Sequence, residues 1–152
     1  MKKKKYKVEA RTVVLVPLKP SGFVQGVVIR SNGRGQAFGC FWGPKLSFAR
    51  DADFETCRQT SPILVCRFGD YGIRTGRWLL VGPVRDWSDS EWPEPKFWRR
   101  HNDPRLCYVS QYDWELKLIA EAVRPMVDAA SLPEDVQLGS GVVEAKLSSL
   151  VG

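Results

Sequence analysis

Three largely apolar segments near the start of the chain constrain its fold more than any other feature. Residues 11–18, 23–30 and 36–42 each predict a largely buried strand. An Asn32-Gly33 pair between the second and third segments is typical of a tight hairpin turn. Glycines inside these strands indicate bends or bulges, which are expected where a small sheet curls towards a barrel. The segments therefore predict a three-stranded meander.

The middle of the chain adds further strands and one ambiguous segment. Strands are predicted at residues 62–68, 77–81 and 106–112, with a turn at residues 69–72. Residues 116–123 match the i, i+3, i+4, i+7 spacing of an amphipathic helix, and counting positions slightly favours that interpretation. The same residues are also compatible with a strand after a hairpin turn, so both alternatives stay open on pattern alone.

A short helix is predicted at the C-terminus, with Ser140 as its N-cap. The apolar residues that would share one face of this helix are Val143, Leu147, Leu150 and Val151. No internal repeat or long linker divides the 152 residues, which suffice for one sizeable core. We therefore predict a strand-rich α+β single domain over residues 11–152, with a curled, largely antiparallel sheet that forms a partial barrel.

The N-terminus is strongly basic and contributes much of the net charge of +6. We interpret residues 1–10, with the lysine run Lys2–Lys5, as a solvated, disordered tail. A contact with nucleic acid or an acidic membrane is the alternative reading of such a run. The apolar residues 13–16 are too few for the core of a signal peptide, and no stretch reaches the roughly 20 residues of a membrane span. We expect a cytoplasmic protein without a membrane partner.

Neither a metal site nor a catalytic set is recognisable. The cysteines form no C-x-x-C pair, and His101 is the only histidine. Cys40, Cys66 and Cys107 lie in strand-like apolar surroundings, and we interpret all four thiols, including that of Cys57, as reduced core groups. His101 lies in a polar loop without a nearby nucleophile, which favours a solvated surface position. The sequence predicts no catalytic residue, no metal and no cofactor, and hence no enzyme.

Residues 76–98 hold four of the six tryptophans and three of the ten prolines. A tryptophan removes a large apolar area from water, yet its indole N–H needs a partner. Trp78 is predicted to be buried, because residues 79–81 after it have the pattern of a buried strand. On the polar, proline-rich loop that follows, Trp87 or Trp92 is predicted to be at least partly exposed.

Acidic, aromatic and basic residues follow one another in this stretch, as in the rim of a protein-binding surface. The candidate partner-binding residues are Asp86, Trp87, Asp89, Glu91, Trp92, Trp98, Arg99 and Arg100. The carboxylates alternate with serine, proline and tryptophan, which favours solvated acids over a catalytic pair. Aromatic and basic residues together also suit stacking on single-stranded nucleic acid, and a small barrel-like module of that kind is the alternative function. The acids would repel phosphate, so nucleic acid is the less favoured partner.

Several segments resemble, in this order, the bacterial immunity protein 26 family, which is found beside polymorphic toxins. The most specific are the Gly-Arg-Trp-Leu-Leu-Val-Gly sequence at residues 76–82 and the Trp-Pro-Glu-Pro-Lys-Phe block at residues 92–97. The other segments that carry the resemblance are residues 17–18, 22–28, 38–42, 132–135 and 139–147. Together they extend over most of residues 11–150.

The resemblance implies a strand-rich α+β domain that neutralises a cognate toxin protein by binding it, without catalytic residues. It also implies that residues 116–122 form the second arm of a hairpin, and we adopt this over the helical spacing. An inhibitor that covers the basic site of a nuclease is expected to be acidic, whereas this chain carries a net charge of +6. The partner is therefore expected either to present an acidic face or to contact the acidic stretch at residues 86–94.

Overall fold

A six-stranded sheet and a three-stranded sheet form the framework of the structure, a computed structural model that describes residues 6–152. The Lys2–Lys5 run lies outside the described residues. The strands are β1 (Thr12–Pro17), β2 (Phe23–Ser31), β3 (Gln36–Leu46), β4 (Leu64–Gly69), β5 (Leu79–Pro83), β6 (Lys96–Arg100), β7 (Leu106–Tyr112), β8 (Leu118–Pro125) and β9 (Gln137–Leu138). The α-helices are α1 (Phe54–Cys57), α2 (Tyr71–Arg74) and α3 (Ser140–Val151), and 3-10 turns lie at Ala49–Asp51, Asp89–Glu91 and Met126–Ser131.

The large sheet has the strand order β5-β1-β2-β3-β4-β9, and only its β4–β9 pair is parallel. The predicted meander is its centre. The Asn32 side chain explains the turn between β2 and β3, because its Oδ1 accepts the backbone N–H groups of Arg34 at 2.8 Å and Gln36 at 3.0 Å. Strands make up 41% and helices 22% of the structure, which confirms the strand-rich α+β prediction, and the sheets do not close into a barrel.

The small sheet has the order β6-β7-β8. It shows which of the two alternatives, helix or strand, holds for residues 116–123. Residues 118–125 are a strand paired with β7, so the helical spacing was misleading and the hairpin expectation is confirmed. Asp113 builds the turn by accepting the N–H groups of Glu115 at 2.9 Å and Lys117 at 3.0 Å. Leu116, which the helical pattern counted, is a buried turn residue with φ 60°.

One face of the large sheet carries the helix-side core, which we define as the buried cluster around Trp78, Phe41, Phe68, Val143 and Leu147. Trp78 is buried as predicted, but the reason given for it was wrong. Residues 79–81 on the edge strand β5 are exposed, whereas Trp78 precedes that strand and packs edge-on against Phe41 at 6.0 Å. Its indole Nε1 donates to the buried carboxylate of Glu144 at 3.0 Å, so burial leaves no polar atom of Trp78 unpaired.

Helix α3 closes this core, and two local expectations need correction there. The N-cap is Gly139, while Ser140 is the first helical residue. The Ser140 hydroxyl donates to the Gly69 carbonyl and accepts the Gly72 N–H, both at 2.9 Å, and so joins α3 to the start of α2. The segment predicted as a turn at residues 69–72 therefore opens a short helix. Val143 and Leu147 are buried as predicted, and Val151 packs against the same core, but Leu150 is exposed.

The opposite face carries the loop-side core, defined as the buried cluster that includes Ile29, Phe38, Trp42, Trp92 and Phe97. It is covered by the small sheet and by the segment between β5 and β6, so the large sheet is buried on both faces. All four cysteines are buried and free, as the sequence predicted.

The end of the predicted tail has contacts with the folded domain. The Tyr6 N–H donates to the Arg74 carbonyl at 2.9 Å, and Val8 packs against the helix-side core. The position at which a disordered tail begins stays a prediction.

Candidate functional site

The segment at residues 84–95, here called the tryptophan loop, connects β5 to β6 across the loop-side core. Trp87 and Trp92 stack with ring centroids 4.7 Å apart and planes inclined by 14°. Trp92 also stacks on Phe54 of α1 at 6.0 Å and meets Trp42 of β3 edge-on at 6.1 Å. Offset stacks and edge-to-face contacts of this kind add to the stabilisation from area burial. The aromatic column holds the loop on the sheet.

The two tryptophans of the loop differ in exposure. Trp92 is 8% exposed and belongs to the core, so it offers a partner only the small part of its ring that lines the cavity described below. Trp87 is half-buried at the outer end of the column, and its Nε1 donates to Asp89 Oδ1 at 2.7 Å. The prediction that at least one of the pair stays partly exposed is confirmed for Trp87.

Arginines from distant parts of the chain hold two of the loop's acids. Arg58 after α1 pairs with Glu91 and donates from Nη1 to the Arg85 carbonyl at 2.8 Å. The Asp89 carboxylate lies 3.8 Å from the guanidinium groups of both Arg11 and Arg30. These acids keep the loop in place, and much of their charge is compensated.

Asp86 and Glu94 are the acids of the loop that remain uncompensated. Both are exposed, and within residues 6–152 neither has an ion-pair partner within 4 Å. Asp86 lies at a positive φ of 53°, a conformation that aspartate tolerates better than most residues and that turns the chain at this point. The loop therefore presents two free carboxylates, Asp86 next to Trp87 in the chain and Glu94 in the lining of a cavity.

A cavity of about 240 Å³ lies between the tryptophan loop and the β7–β8 hairpin. Its lining residues are Arg30, Asp89, Trp92, Pro93, Glu94, Pro95, Gln111, Tyr112, Asp113, Trp114 and Ile119. Five of these eleven residues are aromatic or proline, and three are carboxylates. A groove of this composition suits a protein side chain with an apolar stem and a positively charged or hydrogen-bonding end.

Arg30 forms the polar part of the cavity wall and is only 7% exposed. Its Nη1 donates to the Ile29 carbonyl at 2.8 Å, and the Trp114 ring covers its guanidinium at 3.1 Å. Burial lowers the pKa of Arg30, while Asp89 acts in the opposite direction. Sequence analysis missed Arg30 and Trp114, although a charged residue at the end of a buried strand and a tryptophan in a hairpin turn were signals for them.

The candidates on β6 lie apart from the loop. Arg99 pairs with Glu121 of β8 and stacks on Tyr108 at 4.2 Å, whereas Trp98 is half-buried beside residues 133–135. Since successive side chains of a strand point to opposite faces, Trp98 and Arg100 face away from Arg99. The structure thus divides the predicted residues into a loop group and a small-sheet group.

The histidine, cysteine and acidic side chains are the groups of this chain that could bind a metal ion or act as nucleophiles. Among residues 6–152, no group of three or more histidine, cysteine or acidic side chains is arranged to hold a metal ion. Burial raises the pKa of Cys57 to about 11 and of Cys66 to about 12, and raises that of Cys40 further. These thiols are protonated at neutral pH and are poor nucleophiles. His101 is half-buried, stacks on Tyr108 at 4.8 Å and accepts the Asp103 N–H at 2.9 Å.

Comparison with known proteins gives one family. The family model of Immunity protein 26 matches residues 12–103, which include β1 to β6 and the whole tryptophan loop. The segments of the resemblance after residue 103 lie outside that match. Neither a curated protein nor a solved structure matches the chain significantly. Over the described residues, the longest helices are too short and too polar to cross a bilayer.

Proposed function

The chain belongs to the Immunity protein 26 family, and from this premise we propose that it binds and neutralises a cognate toxin domain of a bacterial polymorphic toxin system. According to this proposal, the protein acts in the cytoplasm as a stoichiometric inhibitor and not as an enzyme. Membership in an immunity family supports a toxin as the partner, while the nature of the contact has to be argued from the surface.

The observation that carries the proposal is the uncompensated carboxylate of Glu94 in the lining of a partly aromatic cavity, with a second uncompensated carboxylate, Asp86, on the same loop. Free acids on a rim steer a basic partner during association, while aromatic walls provide the buried contact area. The tryptophan stack and the Arg58 contacts hold the loop before binding, which lowers the entropic cost of ordering it. We infer that a basic side chain of the toxin enters the cavity at residues 89–95.

The alternative, a nucleic-acid-binding module, has less support from the same residues. Arg99 is neutralised by Glu121, Trp98 is half-buried, and the exposed Asp86 and Glu94 of the loop would repel phosphate. A stacking surface for single strands needs exposed aromatic rings beside free cations. Deletion of Lys2–Lys5 separates the two functions, because salt-sensitive oligonucleotide retention that survives the deletion would favour the alternative.

The test is binding to the toxin domain encoded beside this chain, measured by calorimetry across a salt series. For the double variant Asp86→Lys/Glu94→Lys we expect binding weaker by about 10- to 100-fold at low salt, since rim charges act through association rate and long-range attraction. Asp51→Lys on the exposed 3-10 turn at Ala49–Asp51 is the control for each of the single variants Asp86→Lys and Glu94→Lys, which make the same charge change, and it is expected to bind as the wild type does.

Two results would contradict the proposal at different levels. Absence of binding and of protection by the wild-type protein would remove the immunity function itself. Salt-insensitive binding that the double variant retains would keep the function and exclude the acidic rim as the contact.

A further inference from the structure

The sheets have four edge strands, and three of them are poorly suited to accept another strand. β9 has two residues. β6 is covered by residues 133–135. The Trp98 N–H donates to the Pro133 carbonyl at 3.0 Å, and the Trp98 carbonyl accepts the Asp135 N–H at 2.7 Å. β5 is interrupted by a register shift against β1 and ends at Gly82 and Pro83. Such features are the usual ways in which proteins protect sheet edges.

The fourth edge, β8, is less protected, because its register shift against β7 lies at its first residues and its proline, Pro125, is its last residue. It is eight residues long, every residue of it is exposed, and its register against β7 is regular from Ala120 to Pro125. Large apolar side chains lie along it and directly after it, namely Leu118, Ile119, Val123, Met126 and Val127. A long, apolar and open edge of this kind is a template for strand pairing.

The backbone groups of β8 that face outward follow from the ladder. The Met126 N–H donates to the Arg105 carbonyl at 2.8 Å, which makes this a hydrogen-bonded pair. Because hydrogen-bonded pairs recur at every second residue of an antiparallel ladder, Arg124, Ala122 and Ala120 direct their backbone groups towards β7. Glu121 and Val123 therefore direct theirs away from the sheet, where an added strand would pair.

The side chains around β8 indicate the charge of that strand. On one face Ala120 and Ala122 leave a depression of about 140 Å³, which Lys96 and Arg124 border. Among residues 6–152, neither Lys96 nor Arg124 has a carboxylate within 4 Å. Of the neighbouring acids, Asp128 lines the adjoining depression and Glu121 pairs with Arg99. Acidic side chains of an added strand would lie over the alanines and meet these cations.

We propose that an extended, acidic segment of the partner protein adds to β8 as the fourth strand of the small sheet. Its acidic side chains face Lys96 and Arg124, and its apolar side chains face Val123 on the other side. Main-chain hydrogen bonds to Glu121 and Val123 give affinity, and the alternating side chains give specificity, as in other strand-addition complexes.

A partner of this kind fits better than a second copy of the chain. Two copies would each bring a net charge of +6 to the contact, and the Lys96 and Arg124 cations would face the same cations. The edge is also continuous with the candidate site, because Ile119 of β8 lines the cavity beside the tryptophan loop. The inference therefore rests on the proposed function and extends its contact surface from the loop to the small sheet.

The test uses a probe that does not depend on the toxin. A blocked eight-residue peptide of alternating valine and glutamate is added to the full chain, and backbone amide hydrogen exchange is followed by NMR. At a peptide concentration ten times its dissociation constant, we expect exchange at Glu121 and Val123 to slow about tenfold. The corresponding valine–lysine peptide is expected to give no protection.

A pair of proline variants separates edge pairing from a general loss of stability. Val123→Pro removes an outward N–H that the β7 ladder does not use, and proline is tolerated on edge strands. Val81→Pro is the matched control, since Val81 is skipped in the β1–β5 register and is 54% exposed, against 51% for Val123. We expect peptide binding to weaken at least about tenfold in Val123→Pro alone; thermal unfolding checks that both variants fold. If Val123→Pro does not fold, Val123→Asp replaces it, because the added carboxylate repels an acidic strand; Val81→Asp is then the control.

Each contrary result overturns the proposal in a defined way. Unchanged exchange at Glu121 and Val123 with the valine–glutamate peptide excludes strand addition. Equal protection by the lysine peptide excludes an acidic partner, and protection that rises with protein concentration alone identifies a second copy as the occupant. Normal toxin binding together with an unprotected edge would overturn only this inference and leave the proposed function intact.

Discussion

The two cores on either side of the large sheet differ in how completely their polar atoms are paired. In the helix-side core, the Trp78 indole and the Ser140 hydroxyl both have partners. On the loop side lie all of the buried side-chain nitrogen and oxygen atoms without a hydrogen-bond partner in residues 6–152. They are Gln25 Oε1, Arg30 Nε, Arg67 Nε, Trp92 Nε1 and Ser110 Oγ.

This difference separates a structural half of the molecule from a half suited to binding. Buried polar atoms without partners lower stability, and they persist where function requires them or where another molecule completes them. The loop side also carries the cavity, the uncompensated acids and the open edge of β8. On the proposed function, these loop-side groups are the ones that contact the partner, whereas the helix-side core contributes to stability.

The largest expected effect distinguishes the tryptophans of the two sides. Trp78→Ala removes a fully buried ring and leaves Glu144 without its indole donor, so the free energy of unfolding is expected to fall by about 4 kcal/mol. Trp87→Ala removes a half-buried ring at the end of a stack and is expected to cost about 1 kcal/mol. Urea unfolding followed by circular dichroism measures both values. Equal losses would mean that the loop contributes as much to the fold as the helix-side core does.

A smaller contrast concerns the buried charges. Glu144 accepts a hydrogen bond from the Trp78 indole and pairs with Arg77. Glu144→Ala is therefore expected to lower the free energy of unfolding by about 2 kcal/mol, because it leaves the buried indole N–H without a partner. Arg30→Met replaces a buried cation that has an unpaired Nε by an apolar chain of similar length, and we expect a change within about 1 kcal/mol. Chemical denaturation of the two variants tests this. A strongly destabilised Arg30→Met protein would show that the pair with Asp89 supports the fold.

The smallest effect is a pH dependence on the loop side. Burial, and then the hydrogen bond to Asp135, raise the pKa of Tyr112 from 10.0 to about 12. The folded state therefore holds the phenol proton more tightly than the unfolded state does. This contribution to stability is complete below pH 10 and is lost as the pH rises towards 12.

Replacing this hydroxyl tests the pH dependence. Thermal unfolding between pH 9 and 12 should decline less steeply in Tyr112→Phe than in the wild type, because the variant lacks the titrating group. Tyr71→Phe, at an exposed tyrosine of α2, is the matched control and should keep the wild-type slope. Identical slopes in all three proteins would contradict the raised pKa.

Much of the fold was predictable because its signals are local. The runs at residues 11–18, 23–30 and 36–42 and the Asn32 turn lie within a few residues of one another and became β1, β2 and β3. The strand at residues 118–125 was harder, since its apolar spacing suits a helix and only pairing with β7 decides the outcome. Composition located the tryptophan loop but gave no information on which tryptophan of the loop is buried.

Local sequence patterns were enough to predict the strand-rich class, the meander, the buried thiols and the position of the tryptophan loop. The tertiary structure alone decided that Trp92 lies inside while Trp87 lies at the surface, and that Arg58 and Arg30 neutralise acids of the loop. It also decided that Asp86 and Glu94 stay uncompensated and that β8 has an open edge. The physical reason is that backbone propensity depends on neighbouring residues, whereas burial and ion pairing depend on groups far apart in the chain. Arg58 and Glu91, 33 positions apart, meet only because the chain is folded.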